Sequence, residues 1–222
     1  MGKTIELTAA DGHKFAAYRA EPSGKPRGAI VVVQEIFGVN NHVRRVTDGF
    51  AAQGYLAISP ALFDRTKRGI ELGYDQAAIA SGRELRGAVG DDGPLADVQA
   101  TIDMAAKADK VAVVGYCWGG TLAYLSATRL KGIACAVGYY GGGIAAADDE
   151  KTRVPVMLHF GDTDQSIPMS DVDKVRQAHP EITIHVYKAG HGFNCDERGS
   201  YDAASAKVAL DRTLAFLKDH IG

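Results

Sequence analysis

Short apolar runs alternate along the chain with longer stretches whose apolar positions fall at helical spacing. The clearest run, Ala29-Ile30-Val31-Val32-Val33, is continuous rather than alternating. A strand of that kind is buried on both faces, as in a parallel sheet covered by helices. Ahead of it, Thr4–Ala9 and Lys14–Ala20 read as two β segments split by Asp11-Gly12, a hairpin signal. Val43–Gln53 predicts a helix stopped at Gly54, and Tyr55–Ser59 a strand closed by Pro60. Residues 61–93 are polar and glycine-dotted, with a helix expected around Tyr74–Leu85. After Pro94, the positions Leu95, Val98, Ile102 and Ala105/Ala106 predict a helix with one apolar face. The remaining expectations are a strand over Lys110–Tyr116, a helix over Gly119–Leu130, and strands over Gly132–Tyr139 and Val154–Phe160. A helix over Ser170–Ala178, a strand over Ile182–Tyr187 and a helix over Tyr201–His220 complete the pattern.

Strand–helix alternation of this length implies an α/β fold: a doubly wound, mostly parallel sheet with helices on both faces. The N-terminal hairpin would form an antiparallel edge. With 222 residues and no linker or repeat, residues 1–222 are expected to form a single domain. Right-handed crossovers bring the C-terminal ends of all parallel strands to one edge of the sheet, where ligands bind. The residues directly after strands therefore carry the functional question.

Composition narrows the class. A formal net charge of -2 offers no basic field for nucleic acid or anionic lipid. No run approaches the length of a membrane span, and no apolar stretch follows a basic start, so neither a span nor a secretory leader is expected. Cys117, Cys135 and Cys195 are odd in number and widely spaced, which fits a reducing cytoplasm and no disulfide framework.

Three strand ends carry chemistry. Gly115-Tyr116-Cys117-Trp118-Gly119-Gly120 sits between a strand and an apolar helix, as a nucleophile elbow with Cys in the central place. Glycine flanks because a Cβ there would clash with neighbouring chain in so sharp a turn. A free thiol is only about 3% ionised at pH 7, so ionising it costs roughly 2 kcal/mol. A helix N-terminus of up to about 2 kcal/mol and a paired base are together of the right size to remove that cost. Gly161-Asp162-Thr163-Asp164 follows the next-to-last strand, and either carboxylate could orient an imidazole. Ala189-Gly190-His191-Gly192-Phe193 follows the last strand, where His191 is expected on a mobile, exposed loop. Among the other histidines, His159 and His185 are expected to be structural, and His13, His42, His179 and His220 to lie at the surface. The order nucleophile, acid, histidine is that of α/β-hydrolases. Gln34-Glu35-Ile36-Phe37-Gly38 follows the Val31–Val33 strand. In this fold that loop and the residue after the nucleophile donate the oxyanion-hole amides, here Ile36 and Trp118. Glu35 in that loop is either a helix-entry carboxylate or a group acting on the thiol.

Together these segments resemble the dienelactone hydrolase (carboxymethylenebutenolidase-like) family of the α/β-hydrolase superfamily, over nearly the whole chain. The resemblance implies a Cys117, Asp164 and His191 triad. The family aspartate stands four residues before a proline, which selects Asp164, ahead of Pro168, over Asp162. It implies that Glu35 contacts the thiol and helps form the thiolate when substrate arrives. It also implies an Arg four residues beyond the histidine for binding a substrate carboxylate, and there the chain departs, with Cys195 in that position. Arg198 is a candidate substitute, and Arg83 and Arg86 are candidates for a second carboxylate-binding Arg.

The expected activity is cofactor-free hydrolysis of small esters or lactones by a monomer or homodimer. Partners other than the small-molecule substrate, such as nucleic acid or membrane, are not expected. Phe37, Tyr74, Phe193 and Trp118 are candidate pocket residues. Two rival readings are a non-catalytic small-molecule-binding protein on the same fold and a metal-dependent hydrolase using Asp162, Asp164, His159 and His191. The spacing of those four matches no metal template, so no metal is expected.

Overall fold

Five neighbouring strands bury every residue: β3 (Ala29–Val33), β4 (Leu56–Pro60), β5 (Val111–Tyr116), β6 (Cys135–Tyr139) and β7 (Val156–Gly161). Successive side chains of a strand point to opposite faces, so both faces of this central sheet are covered, as the apolar runs demand. The structure is a computed structural model and describes residues 2–222. With β1 (Lys3–Thr8), β2 (Lys14–Ala20) and β8 (Thr183–Tyr187), the sheet order is β1-β2-β4-β3-β5-β6-β7-β8. The hairpin β1–β2 is antiparallel and joins β4 antiparallel, while every other pairing is parallel.

Among the described residues, six α-helices complete the architecture: α1 (Asn41–Ala52), α2 (Gln76–Val89), α3 (Asp92–Ala105), α4 (Trp118–Arg129), α5 (Met169–Ala178) and α6 (Ala203–Ile221). Asn40, Asp75 and Asp202 cap α1, α2 and α6 by accepting from Val43, Ala78 and Ser205 amides. Helix α4 is buried at every position from Trp118 to Thr128, so it shows no amphipathic face. None of the described helices is long and apolar enough to cross a membrane.

Boundaries differ from expectation where backbone chemistry intervenes. Strand β6 begins at Cys135, because Gly132 turns the chain with φ +79°. Helix α3 starts two residues before Pro94, in whose first-turn position the missing N–H costs nothing. Residues 61–93, expected to be irregular, are pinned. Buried Asp64 accepts from the Ala16 and Gly69 amides, and Arg65 grips the fully buried Asp97 through two 2.8 Å bonds while also reaching Asp11. Removing Arg65 would leave that carboxylate buried and unpaired, a loss on the order of 3–5 kcal/mol.

Candidate active site

The strand ends that carry chemistry in the sequence meet at one edge of the sheet. Cys117 follows β5 and caps α4 with φ 55° and ψ -118°, a conformation that L-residues rarely hold outside strained functional turns. The glycines around it are steric necessities. A Cβ on Gly115 would lie 1.8 Å from the Gly119 carbonyl oxygen, and one on Gly119 would lie 2.3 Å from that of Val33. The elbow is therefore wedged between β3 and its own helix, and the sulfur is held at the helix N-terminus.

His191 places Nε2 3.2 Å from the Cys117 sulfur and Nδ1 2.8 Å from Asp164 Oδ2. The other oxygen of Asp164 accepts from the Ser166 amide at 2.7 Å, and its side chain is only 1% exposed. Asp162 is exposed and takes no part, so the choice between the two aspartates falls on Asp164. The segments bearing Asp164 and His191 approach closely because Gly161 has no side chain. A Cβ there would sit 2.1 Å from the Ala189 carbonyl oxygen. Contrary to expectation, the His191 loop is packed: the side chain is 18% exposed, and Ser200 Oγ donates to the His191 carbonyl at 2.6 Å. Burial alone would lower the imidazole pKa, but its hydrogen bonds and charge interactions with Asp164 and Cys117 hold it up at about 10.

Glu35 follows β3 and is fully buried. Its Oε1 accepts from Arg198 at 3.2 Å, and Arg198 lies over the Phe37 ring at 5.7 Å. Among the described residues, the amides of Ile36 and Trp118 donate to no protein acceptor, which leaves both available at the cleft. A cavity of ≈370 Å³ opens over Cys117 and His191, with Ile36, Phe37, Trp118 and Arg198 in its wall. Ile79, Arg83 and Arg86 line it from one face of α2.

Two expected pocket residues lie elsewhere. Phe193 is wholly buried and packs against Tyr139, Tyr140 and Tyr187, because its loop turns inward after Gly192. Tyr74 stands behind Phe37, ring centroids 4.6 Å apart, with its hydroxyl bonded to Asn40. Two histidines expected at the surface are buried. His42 pairs with Asp196 at 2.8 Å, and His179 meets Tyr124, Glu181 and the Asp148 carbonyl. As expected, His159 is structural, held by Tyr187 and Thr213 and pushed down to about 3 by burial and by the nearby His185 and Arg212. One other grouping, His42, Cys195 and Asp196, brings donor atoms within 4.8 Å of one another. Asp196 there is already taken by His42 and Arg45, and burial followed by the Glu35 charge raises Cys195 to about 12, so the set is satisfied internally. The residue that the sequence did not single out is Tyr140, which follows β6 at the same edge and lies 5.2 Å from the His191 ring. The signal available was its place: a tyrosine directly after a parallel strand.

A parallel sheet edged by an antiparallel hairpin, with a cysteine elbow at the end of a central strand, is the architecture of the α/β-hydrolase superfamily. The dienelactone hydrolase family model matches residues 15–221, and the chain belongs to that family. The chain is 36% identical to a Synechocystis sp. protein named "Putative carboxymethylenebutenolidase", over 90% of this chain and 89% of that one. It is 34% identical to the carboxymethylenebutenolidase of Pseudomonas putida, over 96% of this chain and 94% of the relative. The crystal structure of "Putative Dienelactone Hydrolase" from Klebsiella pneumoniae subsp. pneumoniae MGH 78578 superposes with a TM-score of 0.85 at 32% identity, covering 99% of this chain and 100% of that one. The protein is a hydrolase acting on esters or lactones.

Proposed function

We propose that the enzyme cleaves small carboxylate-bearing esters or lactones through an acyl-enzyme on Cys117, with His191 and Asp164 completing a triad. The observation that carries this reading is the unbroken contact from the Cys117 sulfur through both nitrogens of His191 to Asp164, at 3.2 and 2.8 Å. Cys117 attacks the carbonyl carbon as thiolate, and the charge moving to the carbonyl oxygen is met by the Ile36 and Trp118 amides. Each such donor contributes about 3 kcal/mol to the transition state. Collapse of the intermediate breaks the ester C–O bond, and the leaving oxygen takes the proton of the His191 imidazolium. His191 then removes a proton from water as that water attacks the thioester. The acid leaves, and the thiolate–imidazolium pair is restored. Asp164 holds the ring orientation and stabilises its charged form throughout. Glu35, paired with Arg198 beside the cleft, acts on the protonation of the thiol.

A carboxylated substrate is supported by the guanidinium groups of the cavity. Arg198 lines the cavity while paired with Glu35, and Arg83 and Arg86 line it with no ion-pair partner among the described residues. The proposal takes the chain as one α/β-hydrolase domain, of which residues 2–222 are described. It places the enzyme in the cytoplasm, where a nucleophilic thiol stays reduced.

The test is a panel of enol-lactones and p-nitrophenyl esters, with and without a second carboxylate, assayed with native enzyme and with Cys117→Ala. The expected result is preference for the carboxylated members and loss of turnover on all members in the variant. Turnover retained without the thiol would end the proposal.

A further inference from the structure

Among the described residues, two buried polar atoms at the catalytic edge lack a hydrogen-bond partner: Oε2 of Glu35 and the hydroxyl of Tyr140. Unpaired buried groups are rare in folded proteins, and each demands an explanation. Tyr140 is fully buried and holds φ 38°, one of two non-glycine residues with positive φ among those described; the other is Cys117. Strain of that kind persists where surrounding structure over-determines it, and it gathers at functional sites. The surroundings of Tyr140 do so: its amide donates to the His159 carbonyl at 2.7 Å, and its ring packs on Phe193 and His191. The ring so held stands beside His191, with its hydroxyl in electrostatic reach of Glu35 and Cys117. Burial raises its pKa well above the ordinary value, with the charge of Glu35 the next cause. A tyrosine so placed keeps its proton and is a donor; Oε2 of Glu35 is an acceptor.

We propose that Tyr140 is a positioning residue for Glu35: its hydroxyl supplies the hydrogen bond to Oε2 that holds the carboxylate directed at Cys117 during turnover. In unliganded sites such bonds are often long and tighten only when substrate fills the cleft. The role explains why an elbow-like strain follows β6 beside the true elbow after β5. It rests on Cys117 being the nucleophile.

Tyr140→Phe removes one oxygen and keeps the ring on His191. With p-nitrophenyl acetate, the variant should lose about tenfold or more in kcat, the scale of a hydrogen bond to a charged group. KM and the urea unfolding midpoint should stay close to native. Glu35→Gln should lower kcat as well, and the two substitutions should not multiply: adding Tyr140→Phe to Glu35→Gln should cost less than about twofold. Tyr116, whose ring lies 6.4 Å from that of Tyr140, serves as control, and Tyr116→Phe should leave kcat unchanged. An unchanged kcat in Tyr140→Phe, multiplying factors in the double variant, or an equal fall in Tyr116→Phe would each overturn the assignment. Turnover retained in Cys117→Ala would overturn the underlying reading. An inactive Cys117→Ala alongside multiplying factors would overturn the role of Tyr140 alone.

Discussion

The two ends of the cleft are built on different principles. At one end, Glu35, Cys117, Asp164 and His191 stand within four residues of the ends of β3, β5, β7 and β8. Glu35 and Asp164 expose only 1% of their side chains. The strands before them are fixed by sheet pairing, and the Cys117, Asp164 and His191 segments by glycine contacts that admit no extra atom. At the far end, Arg83 and Arg86 project from α2, a helix in which Gly82 alone is buried. One end is thus among the most constrained parts of the molecule, and the other among the least.

Breaking the constrained end should have the largest effect. Asp164→Asn leaves the shape of the site but favours the wrong imidazole tautomer, and kcat should fall by up to about 10⁴-fold, read with any ester of the panel. The open end should respond differently. Arg83→Ala combined with Arg86→Ala should raise KM for carboxylated esters by about tenfold or more, since charge-assisted bonds of about 1.5–3 kcal/mol are lost. Neutral esters should be processed at the native rate. A uniform fall in kcat on both substrate types would place these residues in the chemistry and erase the contrast.

The smallest expected effect is a pH signature of the constrained end. The folded-state pKa of His191 is raised to about 10, above its unfolded value of about 6.5. Protonation therefore favours the folded state, and that contribution is complete below about pH 6.5 and fades as pH rises through 10. In urea unfolding, native protein should exceed His191→Gln in stability by most at pH 6, and the gap should narrow steadily toward pH 10. A gap that widened with pH would mean that the imidazole is held neutral.

How much of this was legible in the sequence follows the same division. The β-branched run of β3 and the glycine-flanked Cys117 are local patterns that steric rules translate directly, and the chain order of nucleophile, acid and base needs only the topology of a parallel sheet. The choice of Asp164 rested on family resemblance and on one proline; in the structure it is Asp164, not Asp162, that meets His191. What was misread depends on non-local packing. Phe193 follows a glycine-rich loop that resembles a pocket rim, yet three tyrosines from other strands enclose it. His42 and His179 fall just outside the expected helices and looked like surface positions; His42 is covered by the sequence-distant Asp196, and His179 by Tyr124 and the Asp148 carbonyl. Residues 61–93 looked loose because their order comes from Arg65, Asp64 and Asp97 bonding across the fold rather than from an apolar period. Tyr140 was passed over because its strand end carries no motif, and its unpaired hydroxyl exists only in three dimensions.

The central claim is that a carbonyl group passes through the sulfur of Cys117. Rapid acid quenching of the native enzyme with p-nitrophenyl acetate, followed by peptide mass analysis, tests it most directly. The expected result is a single acetyl group on the peptide containing Cys117, formed as fast as the burst of p-nitrophenol and absent from Cys117→Ala. Turnover with no acetyl group on that peptide, or with acetylation of a different side chain at the burst rate, would contradict the account.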